Sequence, residues 1–276
     1  MWIIDEFVSQ EGKWRYEGGM TYVNTTSDAY RGQTGGYVQI SPTQFVPFTT
    51  AISTQHRQSD QLIGAAGIRY GLTPTTEAGI RLTGFWATSR NYDKNQALET
   101  KRSGSSFDSV DFSVTHRTYQ NGGTSLFAFG YAGLISKVAL APQGEKNAFL
   151  QRGSLGVSAY ATDDPVVFSL AATIGLSRSV NIEGRPYRHG AHYTLSPTIS
   201  FLANERTTLS SGLQFSFVKA STYADRKLDI DRSRVQLTLG AGYAWDENIS
   251  IYANYSADMS GIARTNSTQL HLIFSH

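Results

Sequence analysis

The chain of 276 residues contains no cysteine, so thiolate nucleophiles, disulfides and thiolate-bound metals are excluded, and any catalysis would have to come from histidines, serines and carboxylates. The histidines are His56, His116, His189, His192, His271 and His276, and no Gly-x-Ser-x-Gly elbow or His-Glu-x-x-His pair accompanies them. His189-x-x-His192 with Glu183 falls in a polar stretch that reads as an exposed loop rather than a metal site. His56 is likewise expected in a loop, His116 on the outward face of a strand and His271 on an inward face. No enzymatic role, metal or cofactor is expected. The charged residues are more informative. Arg15, Glu17, Arg69, Glu77, Arg81, Asp111, Arg117 and Arg234 fall on the polar face of alternating segments. On adjacent strands such groups either pair into ladders or line a pore.

Alternation of this kind requires strands, and the composition agrees. Charged residues are 17% of the chain and aromatics 12%, which excludes a disordered or coiled-coil protein. The net charge of +2, with no run of four Lys/Arg, excludes a basic-patch nucleic-acid binder. From about residue 61 onward, alternating segments are joined by short turns and then by longer polar loops. Leu62, Gly64, Ala66, Ile68 and Tyr70 share one face, and after Leu72 to Thr75 the faces return with Ala78, Ile80, Leu82, Gly84 and Trp86. Val110, Phe112 and Val114 lead through Asn121-Gly122, a strong hairpin signal, to an apolar face of Phe127, Phe129 and Tyr131. Further pairs turn at Asp163 to Pro165, near Ala203 to Glu205, and at Asp246 to Asn248. Leu270, Leu272 and Phe274 mark the last strand.

One face of each segment is apolar and the other polar or small. No stretch of about eighteen apolar residues exists, which excludes a helical span but not a closed barrel, whose strands satisfy every backbone group inside lipid. Long strands, Tyr70, Trp86, Tyr243 and Trp245 near strand ends, and alternating short and long connections point to an outer-membrane barrel. A soluble all-β domain, which also alternates, is the competing architecture. Residues 13 to 24 form an opening strand with Trp14, Tyr16, Met20 and Tyr22 on one face. The stretch from Tyr37 through Ile52 is either a further pair turning at Pro42 or an irregular insertion, which gives twelve strands, or fourteen. The segments 89–106, 138–148, 179–190 and 222–230 read as surface loops rather than folded insertions.

The first twelve residues break the pattern. Ile3 with Phe7 and Ile4 with Val8 stand at helical spacing, and Gly12 is a plausible stop. Asp5, Glu6 and Glu11 would complement the arginines of the polar strand faces. The expectation is therefore an N-terminal helix over residues 1–12, comprising Ile3, Ile4, Asp5, Glu6, Phe7, Val8 and Glu11, that plugs a barrel of residues 13–276; the alternative is a frayed terminus. The opening Met-Trp-Ile-Ile has no basic n-region or cleavage site and reads as a mature chain or an excised domain.

The opening strand Lys13-Trp14-Arg15-Tyr16-Glu17, the hairpin Arg69-Tyr70-Gly71-Leu72-Thr73-Pro74-Thr75-Thr76-Glu77 with Gly79-Ile80-Arg81-Leu82, and Phe107-Asp108-Ser109-Val110-Asp111 resemble bacterial outer-membrane channels related to the phenol meta-degradation pathway transporters. Within that group the chain is similar to the functional-amyloid (Fap) secretion channels of pseudomonads. That resemblance implies an outer-membrane channel exporting unfolded amyloid subunit polypeptides for biofilm fibres. It also implies a helical plug, a homotrimer and an upstream periplasmic coiled coil, while the charge balance already speaks against a nucleic-acid partner. The alternative within the same architecture is a passive porin for small hydrophobic or aromatic solutes. The ending Phe274-Ser275-His276 departs from the common aromatic terminus.

Overall fold

The computed structural model describes residues 8–29, 37–41, 44–47, 55–93, 98–140, 144–228, 230–259 and 263–276. Twelve long antiparallel strands close on themselves. They are β1 (Trp14–Ala29), β4 (Gln55–Thr73), β5 (Thr76–Asp93), β6 (Leu98–Asn121), β7 (Thr124–Leu140), β9 (Arg152–Asp163), β10 (Val166–Ser177), β13 (His192–Asn204), β14 (Thr207–Val218), β17 (Arg232–Ala244), β18 (Ile249–Asp258) and β19 (Ala263–Ser275). Each pairs with the next in this order, and the ring shuts where β1 meets β19, Arg15 opposite Ser275 and Ser27 opposite Ala263. Closure removes the sheet edge, which lipid would not tolerate.

The distribution of side chains is the reverse of a soluble fold. Trp14, Met20, Leu82, Phe168, Leu170, Leu209 and Leu272 are exposed on the outside, whereas the most buried side chains are polar, among them Glu77, Thr83, Ser109 and Ser125. On β4 the outward apolar residues run from Leu62 to Leu72, about 33 Å along the strand at ~3.3 Å per residue, or about 25 Å of membrane once tilted by 35–45°. Trp14 packs against Tyr70 with ring centroids 4.6 Å apart and planes tilted by 46°, and Tyr16 lies by Phe274 and Tyr243 by Trp245. These rings form an interfacial girdle at the end that carries both described termini and the tight turns, the periplasmic end of an outer-membrane barrel.

Several expectations need correction. Tyr37 to Ile52 supplies a small hairpin, β2 (Tyr37–Ser41) with β3 (Gln44–Pro47), that pairs with itself and not with the barrel, so the count is twelve and not fourteen. The segment 89–106 is mostly strand, because β5 and β6 pair as far as Asp93 opposite Leu98, and His56 lies on β4. The segment 138–148 contains the end of β7 and β8 (Gly144–Phe149), which extends β7 above the membrane band. The segments 179–190 and 222–230 fold together rather than as separate loops. Here β11 (Val180–Ile182), β12 (Arg185–Arg188), β15 (Thr222–Tyr223) and β16 (Arg226–Lys227) form a four-stranded sheet. Its core is Ile182, Tyr187 and Ala148, with Val180, Tyr223 and Leu228 against them. Strands of two to four residues are too short for alternation to be read, which is why the sequence shows only polar loops there.

The apolar face of β7 is also reassigned. Phe127, Phe129 and Tyr131 point inward, because Phe127 pairs with inward Arg117 and Phe129 with inward Thr115, leaving Leu126, Ala128, Gly130 and Ala132 to the lipid. Both faces of this strand are apolar, so its own pattern could not choose between them. At the N-terminus no helix occurs among the described residues. Ile3, Ile4, Asp5, Glu6 and Phe7 lie outside them, and residues 8–12 are not helical: Glu11 bridges Gly71 and Gly12 turns with φ of +76°.

Candidate functional site: the barrel lumen

Alternation sends Arg15 and Glu17 of β1, Arg69 of β4, Glu77 and Arg81 of β5 and Asp111 of β6 into the lumen, where adjacent strands bring them together. Arg69 is the hub. Its Nη1 donates to Glu77 Oε1 at 2.8 Å and its Nε to Glu17 Oε2 at 3.1 Å, so one guanidinium spans two carboxylates on strands either side. Arg15 adds a longer contact to Glu77 at 3.8 Å, and Arg81 and His271 reach Glu17 only at 3.9 Å. Glycine makes the span possible. A Cβ on Gly67 would stand 2.7 Å from Glu17 Oε1, so the carboxylate lies flat on the wall instead of crossing the pore.

A second cluster continues round the wall. The bulge between Thr83 and Gly84 leaves Asp108 as the extra residue of β6, and Arg152 reaches Asp108 at 3.3 Å and Asp111 at 3.6 Å. Sequence reading passed over Asp108 and Arg152 as lumen groups, since a bulge shifts parity and Arg152 is the first residue of its strand. A third pair joins Arg234 to Asp258 at 3.1 Å. Arg117 stands apart from these groups at the periplasmic rim, its Nη2 donating to the Pro74 carbonyl at 3.0 Å.

The N-terminal segment enters this arrangement. Ser9 donates from both its backbone N and its Oγ to Glu77 Oε2, at 2.8 and 2.9 Å, and Val8 and Ser9 are almost fully buried. Gly12 N donates to the Gly71 carbonyl, and a side chain at 71 would strike the carbonyl of Gln10. Residues 8–12 therefore lie against the inner wall at the periplasmic end, with Val8 buried and Glu11 exposed. Ser9 was not legible as a contact, because nothing in its type or spacing marks it.

Phe127, Phe129, Tyr131 and Tyr160 add an aromatic strip inside the lumen, Phe127 edge-on to Tyr160 at 5.6 Å and Phe129 to Tyr131 at 6.0 Å. At the mouth opposite the periplasmic end, burial pushes the His189 imidazole down to about 4, with the positive charge of Arg152 and His192 acting in the same direction. Among the described residues no group of three His, Asp or Glu is placed to hold a metal.

No protein-family model and no curated protein sequence matches the chain. Solved structures do. An outer membrane channel from Pseudomonas putida F1 superposes with a TM-score of 0.63 at 13% identity, covering 96% of both chains. The transport unit of the autotransporter AIDA-I from Escherichia coli gives 0.61 at 11% identity, over 94% of this chain and 89% of that one. The translocator domain of autotransporter NalP from Neisseria meningitidis gives 0.53 at 10% identity, over 95% and 88%. The protein is a twelve-stranded β-barrel of the bacterial outer membrane.

Proposed function

We propose that the barrel is a channel exporting unfolded amyloid subunits to the cell surface, with the N-terminal residues 1–12 acting as its plug. The observation that carries the gating half is the seating of Ser9 on Glu77. A segment hydrogen-bonded to the inner wall narrows the passage, and the bonds are few enough to exchange with water. The cargo half rests on the sequence resemblance to functional-amyloid secretion channels, which also implies a trimer; mass measurement in detergent tests the latter. Planar-bilayer recording of the full chain beside a chain lacking residues 2–11 tests the gate. Larger current steps after deletion support it, and equal steps refute it. Secretion of amyloid subunits by cells carrying the channel, lost when the channel gene is removed and restored by this chain, tests the cargo.

A passive porin for small aromatic solutes is the second reading. It is favoured by one observation, the inward strip of Phe127, Phe129, Tyr131 and Tyr160, where a pore for ions alone would need no rings. Flux of a small aromatic solute through liposomes, with no protein cargo present, would favour it.

A further inference from the structure

The ion-pair network leaves one guanidinium poorly served. Arg81 is 7% exposed, yet its Nε and Nη1 donate to no acceptor, and the nearest carboxylate oxygen, Oε1 of Glu17, is 3.9 Å away. Glu17 is already taken by Arg69. Asp111, directly across the strand pair from Arg81, is engaged by Ser109 at 2.7 Å and by Arg152. Buried donors left without acceptors are costly, and such groups mark places where a ligand can supply what the chain does not.

The neighbours of Arg81 share this condition. Thr83 Oγ1 stands two residues along the same inward face without a partner, as do Gln269 Nε2 and His271 Nε2 on β19. The row His271, Gly19, Ala65, Thr83 runs across the wall with small residues in its middle, and the His271 ring lies over Gly19. On the same wall, Tyr131 of β7 stands opposite Ser113 of β6, which stands opposite Gly79, two residues from Arg81 on β5, and Phe129 continues its aromatic surface. One wall therefore offers an under-used guanidinium next to aromatic rings.

Resting on the channel reading, we propose that Arg81, with Thr83 and Tyr131, forms a binding station in the lumen for an aromatic carboxylate. The carboxylate would accept hydrogen bonds from Arg81 and Thr83, and the ring would pack against Tyr131 and Phe129. An aromatic solute qualifies, and so does an aromatic side chain adjacent to a carboxylate on a passing polypeptide. A charge-assisted bond to arginine is the strong kind, and ring packing adds selectivity over aliphatic acids.

Benzoate is the probe. Saturation-transfer NMR on the detergent-solubilised full chain reads its binding whether or not the barrel conducts, and chloride currents in a planar bilayer read the channel separately. Benzoate is expected to bind with acetate at least tenfold weaker. Arg81→Gln should weaken benzoate at least tenfold, Arg81→Lys less, and Tyr131→Leu several-fold, with Tyr131→Phe close to the parent. Heat-modifiable migration on gels identifies variants that retain the barrel, and Tyr131→Leu keeps the test open if Arg81→Gln does not fold. Equal benzoate binding by the parent and both variants, or no benzoate binding by a chain that carries chloride current, overturns the station. Binding that phosphate or acetate reproduces at equal strength also overturns it, since the aromatic part would then have no role. Absence of chloride current with benzoate binding intact would instead count against the channel.

Discussion

Two stretches of the barrel wall, four strands and three strands wide, are lined differently. On β1, β4, β5 and β6 the inward positions carry Arg15, Glu17, Arg69, Glu77, Arg81 and Asp111, with Glu17 and Glu77 tied across strands by Arg69. On β10, β13 and β14 they carry Ser169, Ala171, Thr173, Gly175, Thr194, Ser196, Thr198, Ser210, Gly212 and Ser216, without one charge. The charged stretch is crowded by long side chains laid flat, and it is where the N-terminal segment docks. The small stretch leaves room. On the channel reading proposed above, passage runs along β10, β13 and β14, while the opposite wall docks the N-terminal segment through Ser9 and Glu77. Both stretches keep the same apolar exterior, so the difference belongs to function and not to membrane insertion.

The largest expected effect comes from breaking the charged stretch at its most buried member. Replacing Glu77 by leucine leaves Arg69 with Glu17 alone and releases Ser9; losing one partner of a buried pair costs up to about 3–5 kcal/mol. Urea unfolding in detergent, followed by tryptophan fluorescence, would show the midpoint fall. A near-neutral result would mean that lumen water already replaces these contacts. Next in size is the exterior. Leu170→Arg, on the lipid face of β10, should cost about 2–4 kcal/mol near the bilayer midplane, whereas Ser169→Arg beside it should cost far less. Refolding yield into liposomes compares the two. A smaller effect is expected from Gly71→Val, which strikes the carbonyl of Gln10 and should unseat residues 9–12 without opening the barrel. Faster trypsin cleavage at Lys13, with unchanged heat-modifiability, checks it.

The last effect is confined to the extracellular sheet and concerns pH. His189 is held at about 4 by burial, below the ~6.5 of an unfolded imidazole, so the folded extracellular sheet binds fewer protons than the unfolded one between these values. Its stabilisation is full above pH 6.5 and declines as pH falls toward 4. Proteolysis of the segment 178–191 should accelerate from pH 7 to pH 4.5, and His189→Gln should flatten that dependence. The barrel itself should not respond at this position.

Much of the fold was legible in the sequence, because a strand with one polar and one apolar face declares both its period and its orientation. Glu77 and Arg81 read inward for that reason, and so did Arg69. Legibility failed where that contrast vanished. On β7 the rings of Phe127 and Phe129 face one side and Leu126 and Ala128 the other, and only pairing with β6 decides between them. It failed again where parity slips, at Asp108, and where strands are too short, around Tyr187 and Tyr223. The hub role of Arg69 was out of reach, because which carboxylates an arginine spans depends on register between strands far apart in sequence.

The absence of cysteine allows a direct test of the wall assignment with single introduced thiols. Ser196→Cys on the small stretch, Thr21→Cys on the charged stretch and Leu195→Cys on the outside would each be reconstituted in liposomes and treated with a water-soluble, membrane-impermeant thiol reagent. The account predicts fast reaction at 196, slower reaction at the more buried 21, and none at 195. Reaction at 195 with protection of 196 would contradict it, since the polar face would then be the packed core of a soluble protein and the apolar face its surface.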